Sequence, residues 1–272
     1  MESATLHTMA RRYLMSRNGK LHAEYAALPD DGRRGLDHTD EAKRIFPGYD
    51  VVAAMLLEVE RLDPDDLPPP DRLAAALSTA ASTAQSVFTT GLHPIEAEAT
   101  AAERDLFRAS IRSWLNAKDL TVEPLPYRRA FSDEEVERWR GRLAARWGTQ
   151  VTMWHPLITE DVPEDVLVVS ADAMWDAGGF ELVYDALVDM GLHRVVEIRE
   201  HGDPGSLLDL DAVELAYTGA EGIWTDDSLD WIAYASHESS MAFGGTLAER
   251  LRTSWTDLSD WGWVPIWDQP AK

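Results

Sequence analysis

Apolar residues at Leu6, Met9, Tyr13, Leu14, Leu21, Tyr25 and Leu28 recur at close to helical spacing, which predicts a helix over residues 5–28. Asn18-Gly19 interrupts the pattern and is expected to break this helix in two, because glycine loses the most conformational freedom on joining a helix. Pro29-Asp30-Asp31-Gly32 then ends it. Thr39 is placed to cap a short helix reaching Phe46, with Pro47-Gly48 as its stop. Val51, Val52, Met55, Leu56 and Val59 form one face of a further helix over residues 49–62. Residues 63–70, DPDDLPPP, are the strongest break in the chain, since consecutive prolines remove amide donors and fix φ. Two Ala-rich helices follow, over residues 71–90 and 94–116, the second with Pro94 suited to its first turn. Short connections between such helices predict an antiparallel bundle or helical layer over residues 1–120.

The pattern changes at LTVEPLPY, residues 120–127, a linker or one edge strand. Ser132 with Glu135 three residues on is a capping box, and its helix should run to Trp147 with Gly148 as terminator. Alternating or continuous apolar runs predict strands at 151–157, 166–171, 193–200, 212–218, 222–225, 231–236 and 241–244. A helix is expected over 180–191, and Thr246 should cap a last one to about Trp255. WIAYAS and MAFGG bracket His237-Glu238-Ser239-Ser240, which reads as a hairpin with a longer loop. The expected fold is α+β: a helical domain over residues 1–120, then an acidic α+β domain over residues 121–272 with a mainly antiparallel sheet.

Charge changes what this fold is expected to meet. The net charge is −23 over 272 residues. Residues 1–150 hold 24 acidic and 20 basic side chains, a net of −4; residues 151–272 hold 24 and 5, a net of −19. Such a surface repels nucleic acid and anionic lipid and attracts a basic protein or cations, although the same charge also serves solubility or tolerance of high salt. The chain has no cysteine, which rules out disulfides, thiolate metal sites and cysteine nucleophiles. The opening MESATLHTMARRYLM lacks a basic start followed by an apolar run, and no apolar stretch is long enough to span a bilayer. A cytoplasmic protein with no membrane partner is therefore expected.

Signatures of common chemistry are missing. Neither GxGxxG nor GxxxxGK[ST] occurs, and GxSxG and HExxH are absent too, so no cofactor is expected. Three weaker patterns remain. His237-Glu238 is either an acid/base or ligand pair converging at a loop tip, or a solvated polar turn. Asp209 and Asp211 would share one face of an extended strand and could hold Mg²⁺ or Ca²⁺, or simply be surface carboxylates. His22, Asp37, His38 and Asp40, with Arg33 and Arg34 beside them, form a cluster that would serve a hydrolase, or supply only caps and loop contacts. Of eleven tryptophans, eight lie after residue 150. Trp261, Trp263 and Trp267 crowd into the tail, where they either clamp it to the sheet or form an aromatic patch for a partner.

The stretch GIWTDDSLDWIAYASHESSMAFGG, residues 222–245, resembles C-terminal segments of bacterial proteins, some of them immunity-like, that is, toxin-neutralising. The resemblance implies a non-catalytic binding protein, in agreement with the charge, since acidic inhibitors associate rapidly with basic toxins or nucleases. The residues expected to serve such binding are Trp261, Trp263, Trp267, Asp226, Asp227, His237 and Glu238. A metal-dependent hydrolase using loop His and carboxylates, or a structural subunit docking through residues 71–116, are the alternatives.

Overall fold

A computed structural model describes residues 1–29, 39–90, 93–117, 120–150, 154, 166–202 and 204–263. The chain is α+β and divides into two compact units, Met1–Leu125 and Pro126–Lys272. Among the described residues no helix is long and apolar enough to cross a membrane.

The first unit is helical: α1 (Ser3–Ala26), α2 (Asp40–Glu60), α3 (Pro70–Thr83) and α4 (Pro94–Asn116). Leu6, Leu14, Val51, Met55, Leu77 and Phe107 fill its core. Two expected breaks do not occur. α1 runs through Asn18-Gly19, where Gly19 meets open space, while Leu14 and Leu21 on either side are buried. α2 runs through Pro47. An internal proline costs about 3 kcal/mol, whereas burying each of Val51, Val52, Met55 and Val59 returns roughly 1.5–3 kcal/mol, so the tertiary face outweighs the local defect. α3, by contrast, stops at Thr83, short of the expected Thr90. Ser78, Thr79, Ser82 and Thr83 each turn a hydroxyl back to the carbonyl four residues before, and Ser86 then caps a separate 3₁₀ turn, Val87–Thr89. A buried ion pair, Arg11–Glu60 (3.2 Å), and a partly buried one, Arg17–Glu103 (2.5 Å), tie α1 to α2 and α4.

Among the described residues the second unit is built on a seven-stranded, fully antiparallel sheet in the order β1-β4-β3-β5-β6-β7-β2. The strands are β1 (Arg128–Ala130), β2 (Val166–Ser170), β3 (Arg194–Arg199), β4 (Ser206–Asp209), β5 (Gly222–Thr225), β6 (Trp231–Ser236) and β7 (Ser240–Gly245). Central β6 is buried on both faces and alternates between two cores. Trp231, Ala233 and Ala235 face α7 (Gly179–Asp189) and α8 (Thr246–Ser254). Ile232 and Tyr234 face α5 (Asp133–Trp147), whose Ser132–Glu135 capping box and left-handed Gly148 stop form as the sequence predicts. A short turn of helix, α6 (Ala173–Asp176), leads into α7. Gly244 lets Trp147 lie on the sheet: a Cβ there would meet Ile232 Cγ2 at 2.8 Å and Trp147 Cζ3 at 2.9 Å.

Residues 212–218, expected as a strand, are not one; β4, which the alternation did not reveal, takes the place beside β3. SLLD offers only two apolar residues, and Leu210 and Leu215 reach the core from a 3₁₀ turn and a loop rather than at period two. The expected strand at 151–157 falls almost wholly outside the described residues. The β6–β7 loop is tighter than expected: Ser236 pairs with Ser240, leaving three residues, with Ser239 left-handed at φ 58°. α8 starts at Thr246 without a side-chain cap, the Thr246 hydroxyl donating instead to Asp230 O at 3.3 Å.

Candidate functional site

α7 buries Val183, Ala186 and Leu187 against the sheet. Helical geometry then places Phe180, Tyr184 and Val188, four residues apart, along its outer side. Tyr184 is 40% exposed and Val188 46%. Trp175, on α6, is 66% exposed and sets its ring edge-on to Phe180, with centroids 4.4 Å apart. Tyr217, at 44%, completes the set of large exposed hydrophobic residues in the second unit among the described residues.

These residues border three depressions that share walls. One of ≈ 350 Å³ lies between Phe180, Tyr184 and the Leu210–Leu215 segment. A second, of ≈ 380 Å³, shares Tyr184 and Leu210 and continues along Val188 to His193. A third, of ≈ 230 Å³, shares Leu215 and lies against Trp175, Tyr217 and the β6–β7 hairpin. Together they form a furrow whose acidic lining is Glu181, Asp185, Asp209, Asp211 and Glu214. Among the described residues no Lys or Arg lines it. Tyr184 donates its hydroxyl to Asp211 at 2.6 Å, and this bond raises the hydroxyl above its ordinary range.

Asp209 and Asp211 do not make the expected paired site. β4 ends at Asp209, and Leu210–Ala212 winds into a 3₁₀ turn, so the two carboxylates part. Asp209 accepts from the Tyr127 amide (2.7 Å) and Arg194 Nε (3.3 Å), while Asp211 holds Tyr184.

His237 does find a carboxylate, though its partner in the structure is Glu221 and the sequence pairing was with Glu238. Glu221 precedes β5, with its side chain only 4% exposed. It accepts from the Tyr234 hydroxyl, the Ser236 hydroxyl (3.4 Å), the His237 amide (3.3 Å) and His237 Nδ1 (2.5 Å). Burial first, and then the bond to Glu221, push the Tyr234 hydroxyl far up from its ordinary value. The His237 ring itself is 61% exposed at the mouth of the third depression. No local motif marks Glu221; only the register Gly222 to Ala235, which sets Glu221 beside Ser236, brings it to His237.

The other expected site residues are dispersed. Asp226 folds onto the Ser228 amide (3.1 Å) and hydroxyl (2.6 Å) in the β5–β6 turn, and Asp227 pairs with Arg142 at 2.9 Å. That turn and the His237-Glu238 turn lie at opposite ends of β6, about 20 Å apart at 3.3–3.4 Å per residue. Trp261 packs half-buried against the core beneath α7 and α8, and Trp263 Nε1 donates to Glu238 O at 3.1 Å. Between them Gly262 bridges to Val169 of β2, so this part of the tail is held to the sheet. Trp267 lies outside the described residues, as do Arg33, Arg34, Asp37 and His38. His22 is exposed beside Tyr49, and Asp40 opens α2. Among the described residues no group of three or more His, Asp or Glu is placed to hold a metal.

Compared with known proteins, the chain matches no family model, no curated protein and no solved structure.

Proposed function

We propose that this chain is a binding protein whose second unit takes a basic protein partner along the furrow over α7, in the manner of an immunity-like inhibitor of a basic toxin or nuclease. The observation that carries the reading is the coincidence of two features on one surface. Among the described residues, the large exposed hydrophobic residues of that unit gather there, and the carboxylates between them have no Lys or Arg in the lining. Contiguous exposed apolar residues mark interaction surfaces, and tyrosine and tryptophan are the residues on which binding energy concentrates. The carboxylates, of which Asp209 is paired with Arg194, speed the approach of a cationic partner and disfavour anionic ones.

Affinity capture from extract of the source cells, at about 50 mM salt, tests this. It should recover a protein of high isoelectric point, released as the Debye length falls below about 8 Å. The pair Tyr184→Ala and Asp185→Lys should abolish the capture, both side chains being on the outer side of α7. Recovery of no basic protein, or capture indifferent to this pair, refutes the reading.

A further inference from the structure

The third depression differs from the open furrow beside it. At ≈ 230 Å³ it is smaller than the roughly 300–1,000 Å³ of pockets that take drug-sized ligands, and it suits one long side chain. Its rim carries two exposed rings, Trp175 and Tyr217. Met174, Leu215 and Met241 supply apolar wall, and Glu214 supplies a carboxylate. His237 lies in the same lining, its Nδ1 held by Glu221.

Each of these features favours the same ligand chemistry. Ring faces of Trp and Tyr attract a cation, an apolar wall accommodates the methylene stem of Lys or Arg, and Glu214 accepts from its N–H groups. An anion would meet Glu214 with no Lys or Arg among the described lining residues, and a purely apolar group would bury that carboxylate unpaired.

We infer that this cleft, formed by α6, residues 214–218 and the β6–β7 hairpin, is an anchor pocket for a single arginine or lysine side chain of the basic partner. The inference rests on the binding function proposed above and adds the residue class that is recognised and the groups that recognise it.

The probes are N-acetyl-arginine methylamide, its neutral norleucine counterpart and a nona-arginine peptide, each titrated into the full chain at pH 8 and low salt. The arginine amide should shift the Trp175 indole resonance saturably and the norleucine amide should not. Tyr217→Ala and Glu214→Gln, both exposed and therefore tolerated by the fold, should together weaken nona-arginine on the order of tenfold, a cation–π contact alone giving roughly 2- to 5-fold. Tyr184→Ala should leave the arginine amide unaffected. Equal shifts from the two amides, or an arginine response unchanged in Tyr217→Ala and Glu214→Gln, would overturn the anchor pocket. If nona-arginine then still binds and is lost with Asp185→Lys, the binding surface stands without the pocket. If nona-arginine does not bind at all, both readings fall.

Discussion

Asp50 lies in the middle of α2, half-buried, with its Oδ2 shielded from water and without a hydrogen-bond partner. Burial pushes its carboxyl up from the ordinary 3.8 to about 6. The folded chain therefore holds a proton that the unfolded chain releases between those two values. Stability from this group is fully present below about pH 4 and is lost as the pH rises through about 6. At about 1.36 kcal/mol per pH unit the whole shift is worth about 3 kcal/mol. Water reaches part of the side chain and screens it, which reduces the figure to about 1–2 kcal/mol. Asp50→Asn keeps the shape and removes the ionisation. It should stabilise the first unit by about 1–2 kcal/mol at pH 7.5, by about half as much at pH 5, and by only about a fifth as much near pH 4. Hydrogen exchange of α2 amides in the full chain, followed through a urea series at pH 7.5 and pH 5, reads this locally. His7, whose ring burial lowers it from 6.5, acts in the opposite sense, since stability falls as it is forced to charge in acid. The comparison of variant with wild type at one pH cancels that contribution. A variant-to-wild-type difference that is the same at pH 5 and pH 7.5 would refute the reasoning, because it would mean that Asp50 ionises in the folded state as it does in water.

Two further predictions concern the second unit. Tyr234→Phe removes one donor to Glu221 and should cost about 1.5–3 kcal/mol, whereas Glu221→Gln should cost more, since its amide nitrogen cannot accept from Tyr234 or His237; urea midpoints that rank the two in the reverse order would refute the hub. Gly244→Ala should cost about 1–3 kcal/mol by driving a methyl into Ile232 and Trp147, and a thermal midpoint within a degree of wild type would show that Trp147 yields freely.

Local signals read well where one residue type suffices. Pro94 does open α4, Ser132 with Glu135 does open α5, and Gly148 does close it at φ 66°. They misread where a local defect competes with burial. Gly19 and Pro47 both sit inside continuous helices, because the core residues around them, Leu14 and Leu21 in α1 and Val51 and Met55 in α2, outweigh one poor position. Of the two readings of Asp209-Leu-Asp211, the paired face needed an extended strand, and the 3₁₀ turn at Leu210–Ala212 ends that strand at Asp209. The proposed binding surface was half legible. Its acidity shows in the count by halves, but the count does not say which carboxylates lie beside exposed aromatic rings.

By itself the amino-acid order determined the helical first part, the α+β second part and the excess of carboxylate after residue 150, because propensity, capping and charge are properties of neighbours in the chain. The tertiary structure decided the rest. Strand order placed Glu221 sixteen positions from His237 yet at hydrogen-bond distance, and the docking of α7 on its Val183 side turned Tyr184 outward beside Asp211. Both are pairings of residues distant in sequence, set by register and by which face of a helix is buried.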